Sequence, residues 1–144
     1  MCGIAGIVDL EGERPVDRGA LIAMTRALAH RGPDSEGFHI APGAGFGHRR
    51  LAIIDREGGA QPFHAQTRGG VLTYNGEIYN HAKPQNCGKR SLKTCSDAEV
   101  LAEGFAMRGV SSRTIRAACS PSASGSRMRA AWTLARDRLG ERPL

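Results

Sequence analysis

Residues 2–8, Cys-Gly-Ile-Ala-Gly-Ile-Val, constrain the fold more than any other stretch: a short apolar run holding two glycines reads as a buried strand that opens the protein. Pro15-Val16-Asp17 then supplies a helix start with Asp17 as N-cap, and Leu21, Met24 and Leu28 follow at helical spacing before Gly32-Pro33 ends the helix. Gly37 to Ile40, Gly45 to Asp55 and Gly70 to Asn75 read as strands, with the chain turning over at Gly58-Gly59. Ser96-Asp97-Ala98-Glu99 has the capping-box pattern and launches a helix over Val100, Leu101 and Phe105 that ends near Gly109. Thr133 to Arg136 reads as a final short strand. Strands, helices and strands in this mixture predict an α+β layered sandwich.

Length and composition narrow the class. The 144 residues suit one small domain with a real core. A hydrophobic fraction of 40% is ordinary for a soluble protein, and no apolar run approaches the roughly 20 residues of a membrane span. The apolar stretch Gly3 to Leu10 is short, holds Asp9 and lacks a basic leader, so it does not read as a secretory signal. Cysteines 2, 87, 95 and 119 form no Cys-x-x-Cys pair, which suggests neither a metal site nor a disulfide framework and predicts a reduced, cytoplasmic protein. The net charge of +6 sits in two patches of +4 each, residues 81–95 and 111–131, leaving −2 on the remainder. Neither patch interleaves aromatics as a base-stacking surface does, so nucleic acid is not expected as a partner.

Cys2 is the first candidate for chemistry. Once Met1 is removed, Cys2 carries a thiol and a free α-amine on one residue. An α-amine of intrinsic pKa about 7.7–8.0 is partly unprotonated at neutral pH and can take the thiol proton. On position alone the plainer reading is a small buried hydrophobe in a first strand.

Its company reverses that balance. The opening Met-Cys-Gly-Ile-Ala-Gly-Ile is followed by Ala29-His30-Arg31-Gly32-Pro33-Asp34, then Gly47-His48-Arg49-Arg50-Leu51-Ala52-Ile53-Ile54-Asp55. Asn75-Gly76-Glu77-Ile78-Tyr79-Asn80 and Ser96-Asp97-Ala98-Glu99-Val100 come next. In order and separation these motifs resemble the class II glutamine amidotransferase domain of asparagine synthetases. The resemblance covers residues 1–80 almost continuously, then 96–110 and 132–144.

The resemblance implies a four-layer αββα sandwich of the N-terminal-nucleophile hydrolase type, here incomplete. Residues 1–144 would form one amidotransferase domain, cut off before the synthetase domain. Cys2 would be the nucleophile, with Asn75 and Gly76 as the oxyanion hole. Arg50 would bind the α-carboxylate of glutamine, where a planar guanidinium makes paired charge-assisted bonds. Asp97 would hold its α-ammonium, and Leu51, Ile53 and Glu77 would complete the substrate site. Arg31 would organise the loop around the site. No metal and no cofactor is implied for glutamine hydrolysis. ATP and magnesium would belong to the missing synthetase domain, which would take the ammonia to aspartate or another acid. Glutamine and that domain are the implied partners, and the full-length family allows a homodimer.

Two segments break the pattern. Where the family has a helix of the kind Glu-Leu-Arg-x-Glu, residues 81–95 offer Pro84, Gly88 and no acid. Where it has a buried Gly-Met-Phe-Ala-Phe-x-Leu-Trp strand, residues 117–125 read Ala-Ala-Cys-Ser-Pro-Ser-Ala-Ser-Gly. One shift of reading frame would account for both. Permitted codons for 117–125 include GCG GCA TGT TCG CCT TCG GCC TCT GGG, and from their third base these read Gly-Met-Phe-Ala-Phe-Gly-Leu-Trp. For residues 83–90 the permitted codons AAG CCG CAG AAC TGC GGC AAG AGA read Ala-Ala-Glu-Leu-Arg-Gln-Glu at the same offset. Two readings therefore stand beside an active glutaminase half: an inactive, frame-shifted remnant, and a small basic binding module.

Overall fold

The computed structural model describes residues 1–11, 14–53, 55–66, 69–78, 92–108, 119–122 and 131–134. The first apolar run forms β1 (Gly3–Val8), and Asp17 caps α1 (Arg18–Ala27) by accepting the Ala20 N–H at 2.9 Å. Two strands follow as a hairpin, β2 (Ser35–Ala41) and β3 (Ala44–Arg50), and the three pair antiparallel in the order β1-β3-β2. Beyond them come β4 (Phe63–His64), β5 (Val71–Leu72), α2 (Asp97–Arg108), β6 (Cys119–Ser122) and β7 (Ala131–Leu134). β4 pairs with β5 and β6 with β7, each antiparallel. Among the described residues the fold is α+β, with antiparallel sheets and two helices.

Successive residues of a strand point to opposite faces, and β3 uses this sharply. On one face Gly45 and Gly47 bring α1 into close contact: a Cβ at Gly47 would stand 1.9 Å from Thr25 Oγ1, and one at Gly45 2.9 Å from Leu21. Leu21 is fully buried there, whereas Met24, also expected at the apolar spacing, is 45% exposed. On the other face Phe46 packs with Val71 of β5 and with Val8. The β4–β5 pair in turn lies on α2, where Ala65, Leu72, Tyr74, Leu101, Ala102 and Phe105 form the larger buried cluster. Each large side chain of that cluster contributes about 1.5–3 kcal/mol by leaving water.

The structure departs from the sequence reading in several places. The strand expected over Gly45 to Asp55 stops at Arg50, because the next donors are taken by side chains: Leu51 N–H by the Cys2 sulfur and Ala52 N–H by the Asp34 carboxylate at 2.7 Å. β5 is shorter than the expected Gly70 to Asn75, and β4 was not foreseen. The capping box at α2 forms only in half. Ser96 Oγ accepts the Ala98 N–H, but Glu99 reaches past Ser96 to accept from the backbone of Lys93 and Thr94 at 2.8 and 2.6 Å. Cys95 is disulfide-bonded, which departs from the expected absence of disulfides. The strand expected over Thr133 to Arg136 begins two residues earlier, at Ala131, and is described as far as Leu134; Ala135 and Arg136 lie outside the described residues. β6 stands inside the segment where the family's apolar strand is missing. Residues 83–90, Tyr79 and Asn80 lie outside the described residues, as do most of both basic patches.

Candidate active site

Strand parity sorts the two adjacent arginines. Arg49 follows Gly45 and Gly47 to the α1 side, where its guanidinium donates to the Gly32 carbonyl at 2.8 Å and pairs with Glu36. Arg50 follows Phe46 and His48 to the opposite side. There Nη2 donates to the Asp55 carbonyl at 2.6 Å and Nη1 to the Arg56 carbonyl at 2.7 Å. The side chain is 7% exposed, so the charge is held in place by backbone carbonyls rather than by water.

Register puts the thiol beside that arginine. Gly3 pairs with Arg49 across β1 and β3, so Cys2 stands just past the paired ends on the Arg50 side. The Leu51 N–H donates to Cys2 Sγ at 3.3 Å, and Sγ lies 3.7 Å from the Leu51 carbonyl. Arg31 Nε donates to the Cys2 carbonyl at 3.2 Å, so this arginine organises the backbone of Cys2 rather than reaching the cleft. Met1 still precedes Cys2 and is about half exposed.

The facing wall comes from β5 and the start of α2. Tyr74 is anchored in the α2 core and its N–H donates to Gln61 Oε1 at 2.6 Å, which fixes the course of Asn75 and Gly76 after it. Asn75 is 4% exposed. Asp97, the first residue of α2, accepts the Ile78 N–H through Oδ2 at 3.3 Å and so ties the loop after Asn75 to the helix.

These walls enclose a cleft of about 130 Å³. Cys2, Arg50, Leu51, Ile53, Asn75, Gly76, Glu77 and Asp97, all singled out from the sequence, line it together. Ile53 is the outlier in burial, 75% exposed at the rim. Met1, Gly59, Gln61, Tyr74 and Ser96 also line the cleft and were not singled out. Tyr74 directly precedes the Asn75 motif, and Ser96 opens the Asp97 motif, where its capping pattern gave it only a helix-starting role. Gln61 carries no local signal, because only the fold brings it under Tyr74. One arginine and two acidic residues, Glu77 and Asp97, share the cleft lining, a charge set complementary to a small zwitterion.

Behind Arg50, His48 is fully buried with Nδ1 2.9 Å from Thr73 Oγ1. Burial, with a smaller push from the Arg50 charge, lowers its pKa to about 4, so it is neutral at neutral pH. Among the described residues no cluster of three or more His, Cys, Asp or Glu is suited to a metal, and no helix is long and apolar enough to cross a membrane.

Comparison with known proteins adds the family. A family model described as a glutamine amidotransferase domain matches residues 1–144. The chain is 39% identical over 103 residues to asparagine synthetase [glutamine-hydrolyzing] 2 of Oryza sativa subsp. japonica, covering 71% of this chain and 17% of that protein. It is 38% identical over 111 residues to asparagine synthetase B [glutamine-hydrolyzing] of Escherichia coli K12, covering 76% and 20%. Against asparagine synthetase [glutamine-hydrolyzing] 2 of Bacillus subtilis it is 38% identical over 113 residues, covering 76% and 15%. The chain thus spans a fifth or less of the length of these relatives.

Proposed function

The chain belongs to the glutamine amidotransferase domain family, and from that footing we propose that it is the glutaminase half of an asparagine synthetase-like enzyme. The observation that carries the proposal is the meeting of Cys2 with Arg50, Asn75, Gly76 and Asp97 in one cleft. The contact order of α1, the β1–β3 sheet, the β4–β5 pair and α2 supports the four-layer αββα plan as its scaffold.

In the mechanism, Arg50 binds the α-carboxylate of glutamine and Asp97 its α-ammonium, with Leu51, Ile53 and Glu77 shaping the rest of the site. With Met1 removed, the α-amine of Cys2 takes the thiol proton and the thiolate attacks the side-chain amide carbon. The Asn75 side-chain amide and the Gly76 N–H stabilise the negative oxygen that develops. The tetrahedral adduct collapses, the C–N bond breaks, and ammonia leaves with the proton the α-amine held. Water then attacks the glutamyl thioester, the same amine taking its proton, and the C–S bond breaks to release glutamate. No step of this hydrolysis draws on a cofactor. ATP and magnesium belong to a synthetase domain, on this or another chain, that passes the ammonia to aspartate. The setting is cytoplasmic, and assembly in the full-length protein extends to a homodimer.

The shifted-frame peptides at 83–90 and 117–125 favour a second reading, an inactive remnant of such a gene. One experiment addresses both. Glutamate release from glutamine is measured for the chain as written and for the form carrying the shifted peptides, each beside its Cys2→Ala variant. Cys2-dependent release supports the proposal. Release confined to the shifted form assigns the chain as written to the remnant, and release that survives Cys2→Ala refutes the mechanism.

A further inference from the structure

Between β3 and α2 the chain makes a tight turn from Asp55 to Gly59, and both of its flanks are occupied. Asp55 adopts a φ of 47°, a left-handed conformation that aspartate tolerates better than most residues. Its carbonyl accepts from Arg50 Nη2 at 2.6 Å and from the Gly59 N–H at 3.0 Å. Its carboxylate closes the turn by accepting the Gly58 N–H at 2.8 Å through Oδ1. The other oxygen, Oδ2, accepts the N–H of Cys95 at 2.9 Å, far along the chain and two residues before Asp97. The glycines leave no slack on either side. A Cβ at Gly59 would stand 2.3 Å from Arg50 Nη2, and one at Gly58 2.9 Å from the Thr94 side chain.

We infer that Asp55 is a positioning residue that sets the separation between Arg50 and Asp97, and so confines the cleft to ligands carrying both an α-carboxylate and an α-amine. Its main chain holds the guanidinium, and its side chain holds the segment that delivers Asp97. One residue thereby couples the two charges that a free α-amino acid presents. The inference rests on the reading of Arg50 and Asp97 as the pair that grips glutamine. It goes beyond that reading by naming what spaces them and what the spacing selects.

The test uses the full chain and two reagents: a diazo-ketone analogue of glutamine that alkylates Cys2, and the same diazo-ketone lacking the α-amine. The ratio of their labelling rates at Cys2 reports the grip on the amine. Iodoacetamide, which carries neither charge, reports the intactness of the Cys2 surroundings. Asp55→Asn keeps an acceptor for Gly58 and the tolerance for a left-handed turn, but its amide NH2 cannot accept from Cys95. The ratio should fall at least tenfold in Asp55→Asn with the iodoacetamide rate unchanged. Gly59→Ala, which crowds Arg50 and the Asp55 carbonyl but leaves the carboxylate bond to Cys95, should slow both diazo-ketones and keep the ratio. Where the iodoacetamide rate shows Asp55→Asn unfolded, Asp55→Gly carries the same test, since it retains the turn and the carbonyl to Arg50. An unaltered ratio in folded Asp55→Asn or Asp55→Gly overturns the inference and leaves the glutamine site standing. A chain of unaltered sequence that shows no preference for the amine overturns the glutamine reading, and this inference with it.

Discussion

The backbone N–H of Leu51 donates to the sulfur of Cys2 at 3.3 Å, a bond that ties the end of β3 to the residue before β1. The bond fixes the sulfur at the wall of the cleft, so the contact orients a nucleophile as well as supporting the fold. It is also why β3 ends where it does, since the strand's next donor is already in use. The α-amine that would complete the nucleophile is still blocked by Met1. Removing Met1 with an aminopeptidase should therefore speed alkylation of Cys2 by the diazo-ketone by about a hundredfold, the usual scale of a positioned general base. Equal rates before and after removal would mean the α-amine takes no part.

Substrate-charge and oxyanion roles separate in the kinetics. Arg50→Ala and Asp97→Ala should mainly raise KM for glutamine, because each holds a charge present in ground and transition state alike. Asn75→Ala should mainly lower kcat, by about a hundredfold or more, as loss of one oxyanion donor does. Arg49→Ala is the control: Arg49 faces α1 and Glu36, so its loss should leave both constants nearly unchanged. Steady-state kinetics in which Arg49→Ala matched Arg50→Ala would contradict the assignment by strand parity.

The choice of Arg50 over Arg49 shows how far the sequence could be read. The motif named Arg50, and the alternation of Gly45, Phe46, Gly47 and His48 along β3 supplies the physical reason. The Asp17 cap and the helix it starts were equally legible, because an N-cap is a local bargain between one side chain and the next turn. What escaped the reading depended on distant partners. Asp34 and Cys2 end β3 from outside it, Glu99 prefers Lys93 and Thr94 to Ser96, and Gln61 reaches the cleft only through Tyr74. Asp55 closes a motif that was quoted whole, yet its role emerges only when Arg50 and Cys95 are seen on its two sides.

Buried His48 makes stability fall on acidification. Its pKa of about 4 in the fold lies below the ordinary histidine value of 6.5, so the unfolded chain binds the proton first. Its contribution is complete above pH about 6.5 and is lost as pH falls towards 4, by an amount on the order of 3 kcal/mol. His39, whose pKa burial and then His64 lower, acts in the same direction below about pH 6.5. Denaturant melts between pH 7 and 4 should show this decline, and His48→Gln should flatten most of it. A decline equally steep in His48→Gln would place the titrating group elsewhere.

The scaffold carries its own prediction. Reading 117–125 in the shifted frame restores about five large apolar side chains, each contributing about 1.5–3 kcal/mol when buried. Reading 83–90 that way removes Pro84 and Gly88, which in a helix cost about 3 and 1 kcal/mol relative to alanine. Those effects are comparable to the whole stability of a small domain, about 5–15 kcal/mol. The chain as written should melt broadly and bind an apolar dye, and the shifted form should melt in one sharp step. Equal, sharp transitions for both would mean the two segments are functional loops rather than frame slips.

The central claim, that the cleft at Cys2 receives glutamine, is tested most directly by where a glutamine-analogue diazo-ketone attaches. The chain freed of Met1 is treated with the reagent, digested and mapped by mass spectrometry, with and without excess glutamine. The adduct should fall on Cys2, and glutamine should protect it. An adduct on any residue other than Cys2, or labelling of Cys2 that glutamine leaves untouched, would contradict the account.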